Sequence, residues 1–138
     1  METHCFKVPN QISALDDISQ ALDEFSEKAS IQMKLKLQLN LVLEELITNT
    51  IKFGYDDNQE HYIDIEIHHN STTIQVKITD DAGPFNILEY DSKLELEKPA
   101  DERSIGGVGI HLIRTIMDDI SYQRESGRNI LLMTKSLS

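Results

Sequence analysis

The chain of 138 residues carries 24 Asp and Glu against 13 Lys and Arg, a net charge of −11, with a hydrophobic content of 39%. That charge argues against nonspecific binding along a nucleic-acid backbone, which it would repel. It leaves room for one polyanionic nucleotide, offset by a metal ion and local backbone N–H groups. With a single cysteine, Cys5, an intrachain disulfide and a cysteine-built metal site are both excluded.

The length fits one compact domain over residues 1–138. No stretch reaches the length of a membrane helix. Met1 to Asn10 lacks the basic region and apolar core of a signal peptide, so the expectation is a cytoplasmic protein without membrane contact.

Phe6-Lys7-Val8 alternates and then meets Pro9, which predicts a short edge strand. Ser13 to Lys28 reads as a helix. Ile12, Leu15, Ile18, Leu22 and Phe25 recur at three- and four-residue steps, and Ser13 with Asp16 has the form of an N-cap. Ser30 to Phe53 reads as a second helix, capped by Ser30. The alternation of Leu35, Leu37, Leu39 and Leu41 suggests a strand, but Leu35, Leu39, Val42, Leu43, Leu46, Ile47 and Thr50 form one helical stripe. Gly54 follows as a C′ residue.

Tyr62 to His68 alternates strictly, Asn70-Ser71 is a turn, and Ile74, Val76 and Ile78 mark the partner strand of a hairpin. A sharp break follows at Asp80 to Phe85. Leu88 to Ser104 is charged and aperiodic, the pattern of a lid. Gly106-Gly107-Val108-Gly109 opens a helix from Ile110 to Met117. Two strands, Asp119 to Glu125 and Asn129 to Lys135, flank a Ser126-Gly127 turn. The order βααββ–lid–αββ predicts an α/β (α+β) two-layer sandwich, with a mixed, mostly antiparallel sheet covered by helices on one face.

Three segments can carry chemistry. Glu45 and Asn49 stand four apart on a helix and so share a face with Leu41 and Lys52. A neutral amide oxygen suits a Mg²⁺ ion that already carries phosphate and water, and a carboxylate one turn away can orient or deprotonate a nucleophile. The same pair also fits an ordinary solvated helix face. Asp80 ends an alternating strand, where a carboxylate can accept the amino hydrogen of adenine. It also fits a turn acid, and Asp81 competes for the same role. Gly106, Gly107 and Gly109 precede a helix, where phosphate can approach the backbone and meet unpaired N–H groups. They equally fit a flexible helix entry. His4, His61, His68, His69 and His111 show no metal-ligand spacing. Met117 and Met133 read as core, while Lys52 and Arg103 are candidates for phosphate contact or for the surface.

In this order the segments resemble the GHKL ATPase superfamily with its Bergerat nucleotide-binding fold, and more closely the bacterial anti-sigma-factor serine/threonine kinases. The resemblance runs from Phe6 to Met133-Thr134-Lys135. It is densest at Glu45 to Lys52, Asp80 to Asn86, and Gly106 to Ile113 with Met117-Asp118-Asp119. It implies ATP and Mg²⁺ as cofactors, Asn49 as metal ligand and Glu45 as base for the acceptor hydroxyl. Asp80 would bind the adenine amino group, in a turn with Gly83. Gly106, Gly107 and Gly109 would lie against the phosphates, with Lys52 near them and Thr134 near the adenine acid.

The resemblance further implies an anti-anti-sigma-type protein as substrate, a sigma factor as a sequestered target, and a homodimer. The family pattern has glycine two residues after the adenine acid; here that position is Ala82, with Gly83 next. Either the turn accepts a methyl group or Asp81 is the reader. The absence of a segment with a phosphoacceptor histidine argues against a complete sensor histidine kinase. A nucleotide-gated binding module without transfer and a fragment-like ATPase stand as alternatives.

Overall fold

The computed structural model describes residues 2–85 and 107–137. The expected lid and Gly106 lie outside the described residues. Among these residues, five strands and three helices run in the order β1 (Glu2–Pro9), α1 (Ala14–Ala29), α2 (Met33–Phe53), β2 (Tyr62–His69), β3 (Thr73–Asp80), α3 (Gly107–Ile116), β4 (Asp119–Glu125) and β5 (Arg128–Ser136). The strands form one sheet ordered β1-β2-β3-β5-β4. The sheet expected to be mixed is antiparallel at every pairing among these strands.

Alternation builds the core. Ile63, Ile65 and Ile67 of β2, Ile74, Val76 and Ile78 of β3, and Leu131 and Met133 of β5 are buried on one face. They meet Ile18, Leu22 and Phe25 of α1, Leu39, Val42, Leu43, Leu46 and Ile47 of α2, and Ile113 of α3 in one cluster. The other sheet face carries Lys7, Asp64, Glu66, Lys77 and Arg128 in loose ion pairs. A half-polar antiparallel sheet of this kind needs a helical layer on one side only. β1 stands at the edge, where Pro9 is tolerated opposite Tyr62.

The local chemistry differs from expectation at three helix ends. Ser13 sits at the N-cap of α1 in a helical conformation and its side chain makes no capping bond; the backbone N–H of Asp16 donates to Ser13 O instead. Ser30 does not cap α2. It closes α1 in the left-handed conformation, φ 56°, with its N–H donating to Ser26 O, and Gln32 precedes α2. Gly54 is right-handed, φ −85°, so it is not there for a left-handed cap. It is there for space. A Cβ at Gly54 would lie 2.6 Å from Thr50 O and 2.9 Å from the Ala82 Cβ. The end of α2 is thereby pressed onto the turn that follows β3, and Gly83 N–H donates to Gly54 O at 3.0 Å.

The turns follow their sequences. Asn70 Oδ1 accepts the N–H groups of Thr72 and Thr73 between β2 and β3. Ser126 and Gly127 both have positive φ between β4 and β5, as a two-residue hairpin loop requires.

Gly54→Ala tests the junction. Helix preference would favour alanine by up to about 1 kcal/mol, whereas forcing a methyl into a packed contact costs about 1–3 kcal/mol. Net destabilisation is expected in urea unfolding. Gly83→Ala should stay within about 0.5 kcal/mol of wild type, because the nearest atom to its added Cβ is Gly54 O at 3.7 Å.

Candidate functional site

α2, the end of β3 and the sheet strands β4 and β5 enclose a cavity of about 170 Å³. Leu46, Ile78, Leu131 and Phe85 supply apolar walls, and Asn49, Thr50, Asp80, Tyr122 and Asn129 supply the polar groups. The volume is below the roughly 300–1,000 Å³ of drug-sized sites and suits a single planar ring system.

Asp80 is the charged group of this cavity and only 8% exposed. It reaches inward because β3 alternates, placing residue 80 on the same face as Ile74, Val76 and Ile78. Its Oδ1 accepts two bonds, from Ala82 N–H at 3.0 Å and from Asn129 Nδ2 at 2.9 Å. Burial pushes its carboxyl above the usual range, against the two hydrogen bonds, which favour the charged form.

Asn129 stands opposite Asp80 in the β3–β5 register, and Arg124 stands opposite Asn129 across β4–β5. Its Oδ1 accepts from the Tyr122 hydroxyl and from Arg124 Nη1 at 3.1 Å. Its Nδ2 donates to Gly83 O at 2.9 Å as well as to Asp80. Arg124 Nη1 also donates to Ala82 O at 2.8 Å. The turn after β3 is thus clamped at both peptide carbonyls by side chains from the neighbouring strands.

Asp81 points elsewhere, as the next residue after a strand end does. Its Oδ2 lies 2.9 Å from His61 Nδ1 and its Oδ1 accepts from the Tyr55 hydroxyl at 3.2 Å. His61 Nε2 lies 2.8 Å from Asp57 Oδ2, and the Tyr55 and His61 rings stack at 4.4 Å. Carboxylates only accept, so the two carboxylates facing both imidazole nitrogens favour the imidazolium form of His61. Hydrogen bonds to Asp81 and Asp57 hold its pKa above the usual value. Burial works against the Asp81 carboxylate, but the bonds from His61 and Tyr55 keep it below the usual range. Burial, with Asp80 and Asp81 nearby, holds the Tyr55 phenol well above its usual range.

The remaining expected residues fall into two groups. Asn49 and Gly83 line the cavity with Asp80. Asn49 Nδ2 donates to Glu45 Oε1 at 3.5 Å, so the pair is in contact along α2, with Glu45 set back from the lining. Gly107 and Gly109 occupy the first turn of α3, which packs on α2. Lys52 is exposed and lies outside the cavity.

Thr134 is not near Asp80. It pairs with Gln75 and Asp119, five residues along β5 from Asn129, and by alternation it faces away from the cavity. Its carbonyl instead accepts Asp118 N–H after α3. The neighbour of Asp80 is Asn129, which the sequence reading missed. The only available signal was its place just after the Ser126-Gly127 hairpin, opposite the end of β3. Tyr122, Arg124 and the Tyr55–His61–Asp81 group were also missed, because what they hold, Asn129 against Asp80 and the turn at Asp81 and Ala82, is brought together only by the sheet register.

The His61 bridge gives a signed pH effect. Its pKa is raised in the folded protein, so its contribution to stability is full below the unfolded value near 6.5 and is lost as pH rises through the folded pKa. Thermal unfolding followed from about pH 6 to 9 should show wild type losing stability on the alkaline side. His61→Gln should start lower and change less over that range.

Comparison with known proteins gives the site a context. The histidine kinase-like ATPase domain family matches residues 8–135. Curated relatives include proteins named serine-protein kinase RsbW. That of Listeria innocua is 25% identical over 86% of this chain and 76% of the relative. That of Bacillus subtilis is 24% identical over 96% of this chain and 84% of the relative. Among solved structures, the SiaB–SiaC complex of Pseudomonas aeruginosa matches with a TM-score of 0.58 at 14% identity, covering 97% of this chain and 89% of that one. The catalytic domain of the histidine kinase ThkA matches with a TM-score of 0.51 at 15% identity, covering 99% and 96%. The match over nearly the whole length, on an antiparallel sheet backed by helices, makes this chain a member of the histidine kinase-like ATPase domain family.

Proposed function

We propose that residues 1–138 form one histidine-kinase-like ATPase domain, a cytoplasmic ATP- and Mg²⁺-dependent protein serine/threonine kinase that also acts as an anti-sigma factor. It would phosphorylate an anti-anti-sigma-type partner and, once released from it, sequester a sigma factor, working as a homodimer. The observation that carries this reading is the convergence of Asp80 and Asn49 on one apolar cavity, with Glu45 bonded to Asn49 one turn away. The relatives named serine-protein kinase support the reaction class.

The residues have separate tasks. Asp80, with its Oδ1 engaged, offers its second oxygen to the exocyclic amino group of adenine. Leu46, Ile78 and Leu131 cover the ring and exclude water. Among the described residues no three His, Cys, Asp or Glu side chains gather into a metal site. Asn49 is therefore suited to an ion shared with phosphate oxygens, the way Mg²⁺ is usually held. When bound, that ion neutralises charge on the phosphates during transfer. Glu45 accepts the proton of the acceptor hydroxyl. Gly107 and Gly109, in the first turn of α3, would offer backbone N–H groups to the phosphates, the role also expected of Gly106, and Lys52 lies one turn beyond Asn49.

The outer surface of α2 favours a protein acceptor. Met33, Leu37 and Leu41 are 63%, 54% and 46% exposed. They belong to the four-residue row that continues to Glu45 and Asn49, and such rows form ridges on a helix. From Met33 to Glu45 the ridge spans about 18 Å, a protein-sized contact.

Glu45→Gln should retain ATP binding and lose transfer of labelled γ-phosphate to an anti-anti-sigma-type partner by about 100-fold or more. Unchanged transfer would remove Glu45 as base. A second reading, a nucleotide-gated binding module, is favoured by the set-back position of Glu45. ATP binding with no transfer by wild type would select it.

Asp80→Asn should weaken ATP binding about tenfold or more without lowering stability, because a buried charge is removed. Asp81→Asn should leave affinity unchanged. The reverse pattern would move the reader to Asp81. Leu37→Glu should slow transfer and spare ATP binding.

A further inference from the structure

We propose that Asn129 is the specificity-determining residue of the cavity, because it holds Asp80 in the acceptor state and thereby selects a purine that carries an amino group over one that carries a carbonyl. This rests on the nucleotide reading above and deepens it. The geometry fixes the orientation of the Asn129 amide. Two donors, the Tyr122 hydroxyl and Arg124 Nη1, converge on Oδ1. Nδ2 must then face Asp80 Oδ1 and Gly83 O, at 2.9 Å each. The amide has no freedom to flip, since flipping would set its NH₂ against two donors. A locked NH₂ donating to Asp80 Oδ1 favours the carboxylate over the carboxylic acid, because a hydrogen-bond donor stabilises the negative charge more than the neutral acid.

The consequence is chemical selection. Ionised Asp80 has one engaged oxygen and a second that makes no hydrogen bond among the described residues. That oxygen accepts from adenine N6. It repels the O6 of hypoxanthine, which is also an acceptor. If Asp80 were protonated, the preference would reverse: a hydroxyl donor would meet O6 and clash with the N6 donor. Burial drives Asp80 toward that protonated state, so the donors around it decide which purine fits. The other charged or titratable groups that face Asp80 are Asp81 beside it, Arg124 from β4 and the Tyr55 hydroxyl beyond α2. Asp81 raises the cost of ionising Asp80 and Arg124 lowers it. Among the described residues only Asn129 and the Ala82 N–H bond to the carboxylate directly.

The test is calorimetric binding of ADP and IDP to the full chain, wild type and Asn129→Leu, between about pH 6 and 8. Leucine keeps the branched shape and removes the donor. Wild type should prefer ADP across the range. Asn129→Leu should bind ADP about tenfold or more weakly, and its preference for ADP should shrink as pH falls, because a proton on Asp80 competes with the amino group. If a folded Asn129→Leu keeps both the preference and its pH profile, the inference is overturned and the nucleotide reading stands. If wild type binds neither ADP nor IDP, the nucleotide reading falls and takes the inference with it. Should Asn129→Leu fail to fold, Tyr122→Phe removes one of the donors that orient the amide. A smaller preference for ADP at low pH is then expected, and an unchanged pH profile overturns the inference.

Discussion

The hydrogen bond from Asn129 to Asp80 joins the start of β5 to the end of β3 at the point where a carboxylate lies among apolar side chains. An unsatisfied carboxylate in such a place would cost several kcal/mol. The surrounding structure is arranged to reduce that cost without eliminating the charge. Ala82 N–H shares the same oxygen, while Arg124 and Tyr122 hold Asn129 in its donating orientation. The turn carbonyls of Ala82 and Gly83 are fixed by the same side chains, so the acid and the turn that bears it are one rigid unit.

Small residues let α2 approach that unit. Gly54 and Ala82 meet where a larger side chain at either position would part helix and turn. The departure at Ala82 from the family pattern thus has a structural counterpart: its methyl is buried against a glycine at the helix end, while a Cβ at Gly83 would meet only Gly54 O, at 3.7 Å. A turn accepting a methyl is one of the two readings the sequence left open. The opposed directions of Asp80 and Asp81 follow from strand alternation. One acid is carried into the cavity, and the other into a surface group with His61 and Tyr55.

α2 presents three different surfaces, and this explains its ambiguous sequence. Leu39, Val42, Leu43, Leu46 and Ile47 are buried in the core. Asn49 lines the cavity, with Glu45 set back one turn before it. Met33, Leu37 and Leu41 face out, so the leucines that alternate like a strand are shared between two sides of one helix. Ile12, counted in the α1 stripe, is likewise 52% exposed, because it precedes the helix.

Most of the fold was legible in the sequence because it depends on periodicity. Strands β2 and β3, both long helices, the two hairpin turns and the buried Met117 and Met133 follow from spacing and turn chemistry acting over a few residues. The contact of Glu45 with Asn49 follows from helical spacing in the same way. What lay beyond reach was pairing between strands distant in sequence. Local pattern predicts that β5 exists, but only the sheet register puts Asn129, not Thr134, beside Asp80. Helix ends failed for a related reason: Ser13, Ser30 and Gly54 have the right chemistry for caps, but neighbouring backbone and packing decided their roles. The sequence alone determined which segments are helix and strand, because that depends on neighbours along the chain. Tertiary structure alone decided which polar groups meet inside the cavity, because a buried hydrogen bond is set by the register and packing of elements far apart in the chain.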